Sequence, residues 1–105
     1  HEAWSILAAV AALVPRVRIG PLVAGNTYRN PALTAKIATT IDHISGGRVV
    51  LGIGAGWQEN EHNKYDFDFS TLKGRLDMLD ESVEIITSLL AERRTNFEGK
   101  HYQIV

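Results

Sequence analysis

Three glycines at alternate positions, Gly52, Gly54 and Gly56, are the residues whose spacing most directly indicates chemistry in this sequence. Because glycine has no Cβ, backbone amides at such positions can approach a phosphate or a planar ring that larger side chains would hold away. The same pattern also occurs where a strand bends or packs closely against a helix. The glycines therefore indicate either a cofactor contact or close packing.

Two other uses of these glycines are disfavoured by the surrounding sequence. The run Gly52-Ile-Gly-Ala-Gly-Trp57 lacks the Lys-Ser/Thr of a P-loop and does not fit the dinucleotide pattern Gly-x-Gly-x-x-Gly. An enzyme that uses these amides to bind the phosphate of its substrate, and not a cofactor, is a weaker alternative.

A group of carboxylates and one imidazole follows the glycines, at Glu59, Glu61 and His62. These are metal-ligand types, but no second cluster with ligand spacing accompanies them. His43 and His101 lie in other segments, where a helix end and a hairpin explain them. We predict no metal site.

Composition restricts the class of protein. The chain has 105 residues, 45% of them hydrophobic, a formal net charge of -1 and no cysteine. The charge gives no reason to expect a nucleic acid or an anionic membrane as partner, and no apolar run reaches the roughly 18 to 20 residues of a membrane span. The lack of cysteine excludes disulfides and thiolate chemistry and favours a cytoplasmic location.

The elements that must position these residues alternate between helix and strand, which predicts an α/β fold with a parallel sheet. We predict helices at 3–14, 31–45 and 72–94, strands at 17–24 and 48–53, a long polar loop at 58–69, and a hairpin that turns at Glu98-Gly99. The last turn of the third helix is predicted to be basic. One apolar stripe is predicted to face the core on the helix at 31–45, formed by Leu33, Ile37, Ile41 and Ile44. A second is predicted on the helix at 72–94, formed by Leu72, Leu76, Leu79, Val83, Ile86 and Leu90.

The chain is less than half as long as a closed eight-stranded barrel of about 250 residues. It begins inside a predicted helix and stops in an extended run, so we expect a segment of a larger fold. The helix at 3–14 is apolar almost all round, and the sheet edges are open. We therefore expect a homo-oligomer.

The order of seven segments resembles luciferase-like monooxygenases, and among them most closely the branch of oxidoreductases that use the deazaflavin coenzyme F420. The most specific part runs from Ser45 to Trp57, and the F420 branch shares Gly20-Pro-Leu-Val23 and Gly54-Ala-Gly-Trp57 in this form. The seven segments lie at 4–9, 18–23, 26–31, 35–36, 40–48, 51–57 and 97–102.

The resemblance implies a partial TIM-type (β/α)8 barrel, with residues 1–105 as a single segment that supplies about strands three and four and their flanking helices. It further implies hydride transfer between F420 and a small organic substrate. An FMN-dependent monooxygenase is one alternative, and a non-catalytic barrel fragment that binds or oligomerises is another. The catalytic acid or base is unknown and is expected from other strands.

The resemblance also assigns cofactor contacts. It places a non-proline cis peptide at Leu22–Val23, as a bulge behind the ring; a trans strand distorted at Pro21 is the alternative. It places the amides of Gly54, Ala55 and Gly56 beside the ring edge. Alanine at Gly56 is accordingly expected to affect cofactor binding more than folding.

Two further residues carry cofactor contacts in this resemblance. Trp57 stands where some F420 enzymes have a proton-donating carboxylate, so we expect an apolar wall there, with a core anchor as the alternative. Asn60 matches a polar cofactor contact, with a solvated loop residue as the alternative.

Tyr28 and Arg29 either reach a ligand or, as we favour, stack and pair on the barrel rim.

Overall fold

The computed structural model describes residues 1–92 and 94–105, and these form an α/β arrangement of helices beside short parallel strands. The helices are α1 (Ala3–Leu13), α2 (Pro31–Ser45), α3 (Glu59–Tyr65) and α4 (Leu72–Ala91), with a 3-10 turn at Asn26–Tyr28. The strands are β1 (Ala24–Gly25), β2 (Ile53–Gly54), β3 (Phe97–Glu98) and β4 (Gln103–Ile104).

The predicted parallel pair of strands is present but shorter than expected. β1 pairs with β2 in parallel, Ala24 opposite Ile53, and a single bridge joins Ile19 to Val49. The predictions of continuous strands at 17–24 and 48–53 were therefore wrong in extent. Pro21 lies between the two points of pairing and has no N–H to donate to a ladder.

Helix α1 begins and ends close to the predicted positions. The Glu2 carboxylate caps its first turn and accepts hydrogen bonds from the Ser5 amide at 2.7 Å and the Ser5 hydroxyl at 2.9 Å. Although partial burial works in the opposite direction, these bonds and the charge of Arg29 hold the pKa of Glu2 below its usual range. The buried residues of α1 are Trp4 and Ala11.

Helix α2 has the predicted start and stop. The Asn30 side chain caps it by accepting from the Ala32 amide at 2.8 Å, and Gly46 ends it with φ at +69°. Such a φ favours glycine, which has no Cβ to clash.

Arg48 ties the end of α2 to two other segments. Its guanidinium donates to the carbonyls of Ser45 at 2.6 Å, Val17 at 2.7 Å and Ala11 at 2.8 Å. These bonds give Arg48 a structural role at the turn that ends α2.

The core lies between α1, α2 and the parallel strands. Its buried residues are Trp4, Ala11, Ile19, Ala24, Ala38 and Ile41. Two members of the predicted α2 stripe, Leu33 and Ile44, are instead about half exposed, because α2 turns Ala35 and Ala38 inward. Small residues there let the helix approach its neighbours closely.

Three predictions about the C-terminal half were wrong. The polar stretch after β2 contains a helix, α3, where a loop was expected. Helix α4 ends at Ala91, so its last turn carries no basic residue; Arg94 lies beyond it and Arg93 lies outside the described residues. Of the predicted apolar stripe of α4 only Ile86 is buried, because the buried face of the helix carries Arg75, Ser82 and Ile85 beside it.

The predicted hairpin forms, but its turn lies later than Glu98-Gly99. β3 and β4 pair antiparallel, and the Gly99 amide donates to the Tyr102 carbonyl at 2.9 Å. The Glu81 carboxylate holds this turn by accepting from the Lys100 amide at 2.7 Å and the His101 amide at 2.9 Å. Partial burial by itself would raise the pKa of Glu81, but these amide hydrogen bonds outweigh it and lower that pKa.

Within the described part of the chain, none of the helices combines the length and apolar character that crossing a membrane requires.

Candidate functional site

A cavity of about 530 Å³ opens where the chain leaves the two parallel strands. Its lining residues come from β1 and the segment before it, from the 3-10 turn after β1, from the turn at Gly56 (the glycine turn) and from the start of α3. They are Leu22, Val23, Gly25, Tyr28, Gly56, Trp57, Gln58 and Glu61. The volume lies in the range of small-molecule sites, about 300 to 1,000 Å³. Both apolar and hydrogen-bonding residues line it, as is usual for small-molecule sites.

The peptide bond between Leu22 and Val23 is cis. The prediction of a non-proline cis bond at this position is confirmed, and the trans alternative is wrong. Leu22 is 99% exposed and Val23 is 53% exposed, and both side chains line the cavity.

Two of the three alternate glycines serve strand packing. A Cβ built on Gly52 would lie 2.3 Å from the Pro21 carbonyl oxygen, and one on Gly54 would lie 2.8 Å from the Val23 side chain. Both distances are too short for any larger residue. Gly52 and Gly54 therefore allow the segment before β1 to pass close to β2, and the predicted cofactor contact of the Gly54 amide stays a prediction.

Gly56 differs from them because it lines the cavity and has φ at +86°. A Cβ there would lie 2.7 Å from the Thr27 hydroxyl oxygen. Its carbonyl accepts a hydrogen bond from Arg75 Nε at 3.2 Å. The turn at Gly56 is thus fixed by backbone conformation, by Thr27 and by Arg75.

His62 is fully buried beneath this turn, which the sequence did not indicate. Its Nδ1 lies 2.7 Å from the Gln58 carbonyl oxygen, an acceptor only, so Nδ1 carries the proton. Nε2 forms a second hydrogen bond with the Thr27 hydroxyl, at 2.6 Å. The spacing of four residues from Gln58 to His62 was the available signal, but it indicates such a bond only once α3 is known.

Around His62, as elsewhere in residues 1–92 and 94–105, no three histidine, aspartate or glutamate side chains converge. The imidazole packs instead among aromatic rings, with centroids 4.7 Å from Tyr28 and 4.7 Å from Phe69.

Tyr28 forms one wall of the cavity. Its ring stacks on His62, and its hydroxyl donates to Glu61 Oε2 at 2.7 Å. Arg29 forms an ion pair with Glu2 at 2.6 Å. The favoured prediction for Tyr28 and Arg29, stacking and pairing, is confirmed. A second cavity of about 510 Å³ shares Tyr28 and Glu61 with the first.

Tyr28 is expected to stay protonated to unusually high pH. Burial, followed by the hydrogen bond to Glu61 and its charge, raises the pKa of Tyr28 to about 12. Because the folded pKa exceeds the unfolded value of about 10, the stabilising contribution is complete below pH 10 and is lost as the pH rises through 12. Near-ultraviolet titration of the protein, with Tyr28→Phe subtracted, measures this pKa.

Glu61→Gln is the matched control for that titration, because it keeps a hydrogen-bond acceptor and removes the charge. We expect it to lower the pKa of Tyr28. An unchanged value in Glu61→Gln would contradict the role given to the Glu61 charge.

The remaining residues predicted to contact a cofactor occupy different environments. Trp57 lines the cavity and is 82% exposed, so the core-anchor alternative is wrong. Asn60 is exposed on α3 and Ala55 is half-buried, and neither lines the cavity. Their cofactor contacts stay predictions.

Comparison with known proteins identifies the family, since the model of luciferase-like monooxygenases matches residues 1–105. The chain belongs to the luciferase-like monooxygenase family. Its cavity therefore lies in a luciferase-like fold, and its segments can be compared with those of other members.

Two luciferase-like relatives have different described activities. An F420-dependent glucose-6-phosphate dehydrogenase of Amycolatopsis mediterranei is 36% identical over 108 residues, which cover 100% of the chain and 32% of that protein. The pyrimidine monooxygenase RutA of Stutzerimonas stutzeri is 32% identical, over 98% of the chain and 29% of that protein. The chain spans about a third of the length of these relatives.

Solved structures agree on the fold. An F420-dependent secondary alcohol dehydrogenase in complex with an F420-acetone adduct superposes with a TM-score of 0.88 at 24% identity, over 99% of the chain and 32% of that structure. The oxygenating constituent of 3,6-diketocamphane monooxygenase of Pseudomonas putida, in complex with FMN, gives 0.83 at 24%, over 97% and 28%. The chain thus corresponds to about a third of a TIM-type barrel.

Proposed function

We propose that this chain is the ring-binding segment of an oxidoreductase that transfers a hydride between coenzyme F420 and a small organic substrate. One observation carries the proposal: Leu22, Val23 and the bare backbone of Gly56 line a single cavity of about 530 Å³ beyond two parallel strands. In barrel enzymes the face at the C-terminal strand ends carries the active site. We further propose that β1 and β2 are strands three and four of the barrel.

The residues present fit a flat ring with polar edges. Gly56 offers backbone without a side chain, while Leu22, Val23 and Trp57 offer apolar surface. Gln58 and Glu61 bring hydrogen-bonding groups to the same cavity. When bound, a deazaflavin supplies the carbon that takes up or gives back a hydride.

The side chains of this segment orient the ring and exclude water. Trp57, which lines the cavity and is exposed, would form an apolar wall beside the bound ring. Since no carboxylate stands at position 57, the proton that accompanies the hydride comes from another residue. FMN is the alternative cofactor, because the identity to a pyrimidine monooxygenase, 32%, is close to the 36% for an F420-dependent dehydrogenase.

Fluorescence titration of the protein with oxidised F420, reduced F420 and FMN tests the proposal, using the protein as its gene encodes it. We expect F420 to bind more tightly than FMN. Tighter binding of FMN would support the monooxygenase alternative, and no binding of either cofactor would favour a non-catalytic role.

Trp57→Phe is expected to change cofactor affinity by only about three- to tenfold and to leave a measurable rate, because phenylalanine keeps an aromatic wall. Steady-state kinetics beside the titration provide the measurement. Complete loss of turnover with unchanged affinity would contradict the assignment of Trp57 as a wall.

The protein is also proposed to form homo-oligomers. Large apolar side chains are exposed on α1 and α4, among them Leu13 at 80%, Leu72 at 63% and Leu90 at 52%. Association would remove this surface from water. Sedimentation velocity is expected to give a species larger than the monomer; a monomer that binds no hydrophobic dye would be the contrary result. A cytoplasmic location stays a prediction.

A further inference from the structure

We propose that Arg75 is a positioning residue that holds the glycine turn in the shape that receives the ring. This inference rests on the proposed function and names a residue of α4 that lies outside the cavity lining. The link is the hydrogen bond from Arg75 Nε to the carbonyl of Gly56, which does line the cavity.

The Arg75 guanidinium contacts backbone carbonyls and the face of an aromatic ring. It is 9% exposed, and besides Gly56 it donates through Nη1 to the Ser70 carbonyl. Its guanidinium carbon lies 3.9 Å from the centroid of the Phe69 ring. An apolar residue of similar size generally stabilises such a position as well as a buried charge does. Packing alone therefore does not require arginine here.

Thr27 lies against the same turn. Its hydroxyl oxygen occupies the space that a Cβ on Gly56 would need, and His62 fixes that hydroxyl through a 2.6 Å hydrogen bond. The Gly56 carbonyl is thus bonded to Arg75, and Thr27 leaves no room for a side chain at Gly56. Both restraints act beyond Gly54, the last residue of β2.

Loss of the Arg75 bond should release the turn without dismantling the strands. The β1–β2 pairing ends at Gly54, so the peptide that follows Gly56 becomes free to rotate. The cavity wall would then lose its fixed shape and Trp57, the next residue, would move with it. A ring bound against this wall would be held less tightly.

Arg75→Lys tests the inference, with Arg48→Lys as the matched control. Lysine keeps the positive charge and cannot reproduce the two-carbonyl geometry of the guanidinium. Arg48 also donates to backbone carbonyls, three of them, and does not line the cavity. Both variants should lose stability, but only Arg75→Lys should affect the turn.

Two readouts separate positioning from simple stabilisation. The chain contains two tryptophans, Trp4 and Trp57, so 5-fluorotryptophan gives two fluorine resonances that Trp57→Phe assigns. In the ligand-free protein, Arg75→Lys should shift or broaden the Trp57 resonance, and Arg48→Lys should leave it in place. Arg75→Lys should also weaken binding of F420, or of FMN if that is the cofactor bound, about tenfold, against less than about twofold for Arg48→Lys.

The inference is overturned if the two variants lose similar stability and neither moves the Trp57 resonance. If the unmodified protein binds neither F420 nor FMN, the proposed function fails and positioning for the ring fails with it, while the fluorine spectrum still decides whether Arg75 orders the turn. Should Arg75→Lys not fold, Phe69→Leu keeps Arg75 and removes the aromatic face beneath it. That variant is expected to move the Trp57 resonance in the same direction, and an unmoved resonance would overturn the inference.

Discussion

Gly56→Ala is expected to destabilise the protein by about 3 kcal/mol, through two separate effects. A non-glycine residue in the left-handed region costs roughly 1 to 2 kcal/mol, and displacing a packed neighbour adds about 1 to 2 kcal/mol. Gly56 has φ at +86°, and its added Cβ would lie 2.7 Å from the Thr27 hydroxyl oxygen. Denaturant unfolding followed by circular dichroism measures the loss.

Gly47→Ala isolates the first of these effects. Gly47 has φ at +87°, and a Cβ there meets nothing within 4 Å. It should therefore cost only the backbone term, about 1 to 2 kcal/mol. In a Thr27→Ala background the excess cost of Gly56→Ala over Gly47→Ala should disappear. An excess that persists there would show that Thr27 is not the obstacle.

The large loss of stability expected for Gly56→Ala differs from what the glycine pattern alone suggested. A strand end usually tolerates alanine, so the sequence indicated an effect on cofactor binding more than on folding. The structure adds a positive φ and a packed threonine, neither of which glycine spacing reveals. We now expect both folding and binding to suffer.

Local signals predicted the elements of this chain well. Asn30 and Pro31 mark the start of α2, and Gly46 marks its end, because capping and a left-handed turn depend on neighbouring residues only. The resemblance to a family predicted the cis bond at Leu22–Val23, which no local propensity indicates. Short-range chemistry and family membership thus supplied different parts of the fold.

Contacts between distant segments were the part that the sequence could not supply. The bond from Arg75 to Gly56 joins residues 19 positions apart, and the bond from His62 to Thr27 joins residues 35 positions apart. Helix α3 was missed because its sequence is polar nearly throughout, so it shows no apolar period. Without α3, His62 looked like a loop residue beside two glutamates rather than a buried support.

His62→Ala is the other change with a large expected effect, a loss of about 3 to 5 kcal/mol, the range for deleting a buried aromatic side chain. It removes the ring on which Tyr28 and Phe69 pack, and it leaves the Thr27 hydroxyl without its imidazole partner. The Gln58 carbonyl loses its bond to the imidazole but keeps the bond from the backbone amide of residue 62. Because this support lies under Gly56, the cavity should be disturbed together with the fold.

His62→Phe separates packing from hydrogen bonding. Phenylalanine keeps an aromatic ring among Tyr28 and Phe69 but can make neither hydrogen bond, so we expect a loss of about 2 kcal/mol. Thr27→Val should cost about 1 kcal/mol in the unmodified protein. In the His62→Phe background it should cost nothing or restore stability, because the hydroxyl that valine removes is already unpaired there.

Unfolding of the four proteins in this double-mutant cycle gives the coupling between Thr27 and His62 directly. An equal cost of Thr27→Val in both backgrounds would show that the two side chains act independently, and the support would then rest on aromatic packing alone. A coupling of about 1 kcal/mol or more would mean that the hydroxyl beneath Gly56 is held by His62. The shape of the cavity wall would then depend on α3, a helix with no apolar pattern of its own.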